Sequence, residues 1–551
     1  MKILGPLLCL ALLINALLTG WWGIDFGVHW DEWYLLQGLR NAVGSLTLVT
    51  GEYSYGGVYF DLGFALLGVR AIPLLPAIFR EIAANPTRPL AIDQYPALVS
   101  AKNQLLSTIV DPSFQLEARL AFLTVCSLAA LWIYLAVRRL FPGHMLAALA
   151  GAGLMATSWE VAYHSRFVAS DAVLMQFGAL TFLCLAQALT RREPLHAGGW
   201  IAAAAVAAGL AAGSKLPGVF VLAPVLAAAA LRRDLWRSYA GLAISLILTV
   251  VIFVVAFCAT TPGAFVDPIR FAATIPFEAE NYNRYKGGGF PYFVANPYEH
   301  ARYALRWLFA AVPSPAVVLA VPMSLVTAAG AYALWRDHRR LLWCMAVFVL
   351  SYGLFVCANH VLIVRNWLVV VPLSAIAFAA GIALCQDLVR GRRFGWLVGA
   401  GVTAVFAYNI IWLWRAADSV RHSSPAAFVD RLYDYMKRHP SIELHLSPDI
   451  VAAIKSGPGR TLACRDIAIP PEKPSKVIFF AHEHDWMQWI ANRPAFADLT
   501  IGSLEVNYDY YPTWFGRYKN ERIVVLPAAN AVRMGKTLAG FQTCQATSPS
   551  Q

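Results

Sequence analysis

The sequence predicts an α-helical polytopic membrane protein of about 11 transmembrane helices followed by a small soluble α/β domain. Three observations carry this. Of 551 residues, 58% are hydrophobic and 14% charged, where a soluble fold carries roughly 25% charged residues. Apolar stretches near the ~20 residues that a bilayer crossing needs recur from Met1 to about Arg415, where a mixed polar tail begins. Arginines gather in alternate short loops, at Arg138 and Arg139, Arg191 and Arg192, Arg232, Arg233 and Arg237, Arg336, Arg339 and Arg340, and Arg390, Arg392 and Arg393.

That alternation explains the formal charge of +12. It marks topology rather than nucleic-acid binding, because positive residues accumulate in cytoplasmic loops. Eleven spans satisfy it, at about 3–22, 117–138, 145–163, 171–189, 197–213, 216–231, 239–260, 308–335, 341–359, 367–387 and 395–415. The first follows Lys2 and ends at Trp21 and Trp22, where a cleavage site needs small residues, so it reads as an uncleaved anchor. An odd number of crossings from a cytoplasmic N-terminus places the tail outside. The expected division is a membrane domain, 1–416, and an extracytoplasmic α/β domain, 417–551.

Two loops are long. The first outer loop, 23–116, contains an apolar run from Val58 to Phe79 interrupted by Asp61, Arg70, Pro73 and Pro76. One extra crossing there would invert every later arginine loop, so helices lying in the membrane interface are expected. The second outer loop, 261–306, holds Tyr285, Lys286 and Gly287-Gly288-Gly289, a pattern suited to a mobile lid or to close approach of an anionic ligand. In the tail, a helix over 425–438 alternates with β-rich runs at 442–446, 476–480, 499–506 and 522–526. Seven of the nine cysteines fall in spans as small buried apolar residues; Cys464 and Cys544 lie in the tail, where an oxidising compartment would allow a disulfide. His482 and His484 follow a strand, and no third ligand is evident, so no metal site is predicted.

The remaining polar groups fall on the face opposite the arginine loops. Asp31 and Glu32 stand side by side in the first outer loop; His164, Arg166 and Asp171 lie around the third and fourth spans, Lys215 between the fifth and sixth, Lys286 in the glycine-rich loop, and His360 and Arg365 after the ninth. Carboxylates with scattered cations at one membrane face suit transfer from a lipid phosphate, one group taking a proton while the cations stabilise the leaving phosphate. Each residue also has a plainer role: helix-capping charges for Asp31, Glu32 and Asp171, interfacial anchoring for Lys215 and Arg365, loop packing for His164.

At this point the residues resemble a known family. Ser165-Arg166-Phe167 with Asp171, and Gly209-Leu210 with Ser214-Lys215, are similar in order and spacing to segments of the protein O-mannosyltransferases. Asp31-Glu32 resembles the acid pair of that family's first outer loop, and Val58-Tyr59-Phe60-Asp61 the stretch that precedes its His-Pro-Pro. Arg365-Asn366-Trp367 with Pro372 resembles a late Arg-Tyr stretch of related bacterial enzymes, including the aminoarabinose transferases that modify lipid A. The resemblance covers about 1–415 and implies a GT-C superfamily glycosyltransferase with a polyprenyl-phosphate sugar donor. It would make Asp31 the general base, Glu32 its partner in positioning the acceptor, and Arg166, Lys215 and Arg365 donor contacts; the gathering of polar groups in the outer loops adds Lys286 as a phosphate-binding candidate and His164, Asp171, Tyr285, His360 and Asp61 as supporting residues. Asp61-Leu62-Gly63 replaces the family's Asp-x-His-Pro-Pro, and Trp367 its Tyr, so the acceptor side differs.

The expected function is therefore inverting sugar transfer to a hydroxyl on a lipid, glycan or protein, at the outer face of a bacterial inner membrane. No cofactor is required and a divalent metal is not predicted, although a carboxylate pair leaves room for one. A transporter or flippase of lipid-linked intermediates would place its charges near the bilayer midplane in repeated halves, and no such repeat is evident. A non-catalytic envelope assembly protein would use the tail and leave Asp31 incidental.

Overall fold

The computed structural model describes residues 3–24, 31–85, 94–236, 238–283, 294, 296–389, 396–422, 425–438, 444–446, 448–455, 460–466, 476–482, 506–507, 521–527 and 542–547. The chain divides into two compact units. The first comprises 1–21, 30–286 and 294–413, and the second 22–29, 287–293 and 414–551.

The first unit is a helix bundle. Its helices are α1 (Leu4–Trp21), α2 (Glu32–Ser45), α3 (Gly57–Ala71), α4 (Leu75–Ala84), α5 (Pro96–Val110), α6 (Pro112–Leu140), α7 (Met145–Thr157), α8 (Trp159–Ser165), α9 (Ser170–Thr190), α10 (Pro194–Ser214), α11 (Leu222–Leu231), α12 (Tyr239–Thr260), α13 (Gly263–Val266), α14 (Pro268–Asn283), α15 (Pro297–Arg306), α16 (Val317–Cys357), α17 (Val371–Val389) and α18 (Trp396–His422), the last running on into the second unit. Local chemistry sets several starts. The Asp111 side chain caps α6 by accepting from the Ser113 amide at 2.8 Å, with Pro112 supplying the first helical φ. Ser238 and Asn296 cap α12 and α15 in the same way.

Among the described residues nine helices are long and apolar enough to cross a membrane, or ten if the bent pair α7–α8 is one span. Every expected span is helical, with four departures. The third bends by 52° at Ser158, whose extended φ/ψ of −68°/124° ends α7 and starts the wholly buried α8. The sixth begins as a 3-10 turn, Leu216–Val221, after Pro217. The eighth starts at Val317 rather than 308, because a π turn at Trp307–Ala311 and the prolines Pro313 and Pro315 intervene. The tenth begins as a 3-10 turn, Val364–Val370, before its α-helix starts at Val371. The eighth and ninth spans join in α16, broken at His338 (φ −139°, ψ 41°).

The two ends of the bundle differ in chemistry. At one end Arg139 donates to Thr190, Arg232 donates to the Ala188 and Arg191 carbonyls, and the His338 ring meets the Leu140 carbonyl at 3.0 Å. α9 runs from there about 29 Å, at 1.5 Å per residue, to Asp171 at the other end. Both arms of α16 therefore turn at the arginine end, and Tyr352 returns to donate to the Asn366 carbonyl at the acidic end.

The segment expected to lie in the interface forms α3, a 3-10 turn at Ile72–Leu74 and α4, together long and apolar enough to cross. Its neighbours place it differently. Gly57 abuts the Thr260 carbonyl at the end of α12, and Arg70, thirteen residues or about 20 Å further on, pairs with Glu117 in the second turn of α6. Both contacts lie at the acidic end of the bundle, so α3 runs across the helix ends.

Small residues set the packing. A Cβ on Gly330 would fall 1.6 Å from the Ala377 carbonyl oxygen, and one on Gly381 2.0 Å from that of Val326, so α16 and α17 touch backbone to backbone. The central spans are the polar-bearing ones: 78% of the window in α9 and 83% of that in Val364–Val389 are buried, against 17% in α12.

The second unit contains helices α19 (Pro425–Arg438) and α20 (Pro448–Lys455) and a six-stranded sheet. Its strands are β1 (Leu444–Leu446), β2 (Thr461–Asp466), β3 (Lys476–His482), β4 (Val506–Asn507), β5 (Glu521–Pro527) and β6 (Gln542–Thr547), in the order β2-β6-β1-β3-β5-β4. β1 and β3 are parallel and the other pairs antiparallel. Of the expected run 499–506, only Val506 is described as strand. Val429, Leu432, Tyr433 and Met436 recur at helical spacing and cover Leu444, Leu446 and Ile454. Cys464 and Cys544 stand opposite each other in β2 and β6 and form a disulfide.

The α16–α17 contact yields a prediction. Gly330→Val should destabilise the purified protein by about 1–3 kcal/mol, the usual cost of overpacking, seen as a lower thermal midpoint in detergent. An unchanged midpoint would refute the close packing.

Candidate functional site

Asp31 occupies the N-cap position of α2, yet its side chain makes no capping bond and it is only 1% exposed. It turns inward instead. Arg365, on the 3-10 turn Val364–Val370 ahead of α17, grips it with Nη1 at 2.6 Å from Oδ2 and Nη2 at 3.2 Å from Oδ1. The Tyr55 hydroxyl donates to Oδ1 at 2.7 Å, and that of Tyr59 to the Asp31 carbonyl at 2.7 Å. The reading of Asp31 as a solvated capping charge is thereby excluded.

Arg365 also reaches a second acid. Its Nε lies 3.2 Å from Oδ2 of Asp171 in the first turn of α9, where the helix N-terminus favours a carboxylate. Lys215, the C-cap residue of α10, donates to Asp171 Oδ1 at 2.7 Å and to the Asn366 side chain at 2.8 Å. Its side chain is 15% exposed, so it is no interfacial snorkeller. Two acids and two cations from four distant stretches thus form one buried network of zero formal charge. Burial raises the Asp31 carboxyl above its ordinary value of 3.8, against the pull of Arg365 and of the Tyr55 hydroxyl. Burial, with Asp31 beside it, pushes Tyr55 well above 10, which keeps it a donor.

Glu32 points the other way. Arg119 of α6 holds it bidentately at 2.8 and 2.6 Å, Gln115 donates to it at 2.5 Å and the Val168 amide at 3.3 Å. Glu32 and Arg119 are each 1% exposed. Glu32 therefore ties α2 to α6 and to the start of α9, setting the backbone from which Asp31 projects.

The other expected residues separate. Arg166 is buried, but it donates to the Thr19 carbonyl at 2.9 Å and lies 5.3 Å from the Trp159 ring, facing α1 instead of Arg365. His164 is buried on α8, 3.8 Å from Glu160. His360 is tied to residue 294: its ring lies 3.1 Å from the Val294 carbonyl, and its own carbonyl accepts from the Val294 amide. Asp61 lines a separate cleft on α3. Tyr285, Lys286, His484 and Asp485 lie outside the described residues. Among the described residues no three His, Cys, Asp or Glu side chains gather as metal ligands.

Tyr55, Gln115, Arg119, Asn366 and Glu160 were not assigned roles from sequence. Arg119 and Glu160 did carry a signal, since each is an ionisable residue inside an expected apolar span. Tyr55 carried none beyond its place in an aromatic-rich loop.

Residues 95–262 match the family profile of the dolichyl-phosphate-mannose-protein mannosyltransferases. That stretch holds Arg119, Asp171 and Lys215, and with it the resemblance to the GT-C enzymes noted in the sequence stands. No curated protein sequence matches the chain. Among solved structures, ArnT from Cupriavidus metallidurans, crystallised with undecaprenyl phosphate, is 12% identical with a TM-score of 0.45, over 94% of this chain and 97% of its own. The oligosaccharyltransferase AglB of Archaeoglobus fulgidus, in complex with an inhibitory peptide and a dolichol-phosphate, is 13% identical with a TM-score of 0.41, over 81% of this chain and 58% of its own.

The buried Glu32–Arg119 pair yields a prediction. Removing one partner leaves an uncompensated charge, so Glu32→Gln should cost about 3–5 kcal/mol and lower the thermal midpoint, while the double change with Arg119→Met should recover most of it. Equal loss in both proteins would contradict the pairing.

Proposed function

We propose that the chain is a membrane glycosyltransferase that moves a sugar from a polyprenyl-phosphate donor to an acceptor hydroxyl, with Asp31 as general base. The observation that carries this is the junction of Asp31, Asp171, Arg365 and Lys215 at the bundle end opposite the arginine loops. The positive-inside rule makes that end extracytoplasmic. The Cys464–Cys544 disulfide supports an oxidising compartment for the tail. A transporter's charges would sit near mid-bilayer; here they lie at helix ends.

The network supplies each part of the reaction. Asp31 accepts the proton of the acceptor hydroxyl while that oxygen attacks the anomeric carbon from the face opposite the phosphate. The bond from that carbon to the phosphate oxygen breaks, and polyprenyl phosphate leaves with the electron pair. Arg365 and Lys215 neutralise the phosphate as its charge grows, the arginine fork matching its oxygens. At rest the same fork holds Asp31. Donor phosphate must therefore draw Arg365 toward itself, and that exchange frees the carboxylate lone pair that takes the proton. Tyr55 then keeps Asp31 aimed.

Labelled-sugar transfer from a polyprenyl-phosphate donor tests this. Asp31→Asn should lower turnover about 10²–10⁴-fold, the usual worth of a general base, and, because it leaves the buried Arg365 charge undercompensated, it should lower the thermal midpoint as well; undiminished turnover in protein still folded at the assay temperature would remove the assignment. The pH profile is a second check. The base acts only when ionised and its carboxyl is raised by burial, so kcat/KM should fall toward acid through a pKa above 3.8. A rate flat down to that value would contradict a buried acid as base.

A further inference from the structure

The two helices that follow α12 turn most of their apolar residues outward. In α14, Phe271, Thr274 and Glu278 recur at i, i+3 and i+7 on a half-buried inner face, with Asp267 just ahead of the helix. The outer face carries Ile269, Ala272, Ala273 and Pro276 at i, i+3, i+4 and i+7, all exposed, and Glu280 closes the stripe. In α13, Phe265 and Val266 are exposed as well; Phe265 is 80% and Ile269 85% exposed. The polar side is the one that meets protein. The Tyr53 hydroxyl donates to Asp267 at 3.3 Å, the Tyr53 and Phe271 rings stand edge to face at 5.8 Å, Gly263 leaves no room for a Cβ beside the Tyr53 ring, and the Arg270 guanidinium lies against Gly51.

We infer that α13 and α14 form a membrane-seated strap, its outer face lying in the boundary between headgroups and acyl chains of the outer leaflet while its inner face holds the loop 46–56. Continuity with the lipid-facing surface selects this occupant. α13 follows α12 after only Thr261 and Pro262, and α12 exposes Leu248, Val251 and Val255 along a span whose window is 17% buried, so the surface that a transmembrane helix turns to lipid runs directly into the strap. At the same end of the bundle α3 and α4 repeat the pattern, with Val69, Ile72 and Phe79 exposed. Pro276 sets the depth. It offers no amide to the Ala272 carbonyl on the outer face, and that carbonyl needs the water of the interface rather than hydrocarbon. Large apolar side chains on one face and carboxylates on the other suit a helix lying in the interface plane. The strap reaches the charged network through the loop it holds: Tyr53 is two residues from Tyr55, whose hydroxyl donates to Asp31 at 2.7 Å. Lipid contact therefore helps to fix the tyrosine beside the acid.

Power-saturation EPR on the full chain in lipid nanodiscs tests this without requiring turnover, so its outcome is independent of the transferase reading. Nitroxides on Phe265→Cys and Ile269→Cys, with the signal of the labelled unsubstituted chain subtracted, should meet dissolved oxygen more often than a water-soluble nickel chelate. They should also lie nearer the headgroups than a nitroxide on Leu248→Cys, an exposed position in the middle of α12. The double variant Phe265→Asn with Ile269→Asn removes the seat and leaves the inner face intact. Tryptic cleavage after Arg270 should then quicken about tenfold, the equilibrium worth of burying one large apolar side chain, because cleavage tracks the open population. Labels reached as freely by nickel as by oxygen, labels shielded from both as by a protein partner, or cleavage at the unsubstituted rate would overturn the inference.

Discussion

The Arg365 guanidinium, shared between Asp31 and Asp171, is the constraint on which the acidic end of the bundle depends. It sits on the turn before α17, one acid precedes α2 and the other opens α9, and Lys215 completes the set from the end of α10. Burying four charges costs far more than their attraction returns unless each is paired and hydrogen-bonded. Here every one has a partner at 3.2 Å or less. Such a network fixes where four helix ends stand, and a small displacement of one would leave charge uncompensated.

The rest of the bundle serves that geometry. Glu32 and Arg119 anchor the residue next to Asp31, so that two adjacent carboxylates take opposite duties: one faces the network and one the helix packing. Backbone contact at Gly330 and Gly381 brings α16 and α17 together, and Tyr352 on α16 then donates to the carbonyl of Asn366, the neighbour of Arg365. At the far end of α9, Arg139 and Arg232 close the helix on Thr190, Ala188 and Arg191. α9 therefore joins the arginine contacts at one end to the Asp31–Asp171–Arg365–Lys215 network at the other.

Much of this was legible in the sequence because a helix end is fixed by where an apolar run stops. Asp31, Asp171, Lys215 and Arg365 each fall at such a stop, so their common level in the membrane followed from the arginine pattern, and the helical spans with it. What spacing does not fix is direction around the bundle axis. Arg166 stands at the right level, yet its side chain turns toward Thr19 and Trp159. His360 is likewise level with the site but spends its ring on the Val294 carbonyl. The bend at Ser158 left no proline or glycine to mark it, so the third span appeared straight, whereas the break at His338 falls within the arginine loop expected between the eighth and ninth spans. The duty of Glu32 depended on Arg119, 87 residues away in sequence, a partner that only the folded chain identifies.

The central claim is that the cations holding the acid pair at rest are those that hold the donor's phosphate. A cryo-EM structure of the full chain in a lipid nanodisc with a polyprenyl monophosphate tests it most directly. The account predicts phosphate oxygens about 2.7–2.9 Å from Arg365 and Lys215 nitrogens, the range of charge-assisted bonds, with the Asp31 carboxylate released from the arginine fork and still held by Tyr55. Phosphate bound elsewhere, with Arg365 still clasping Asp31, would contradict it.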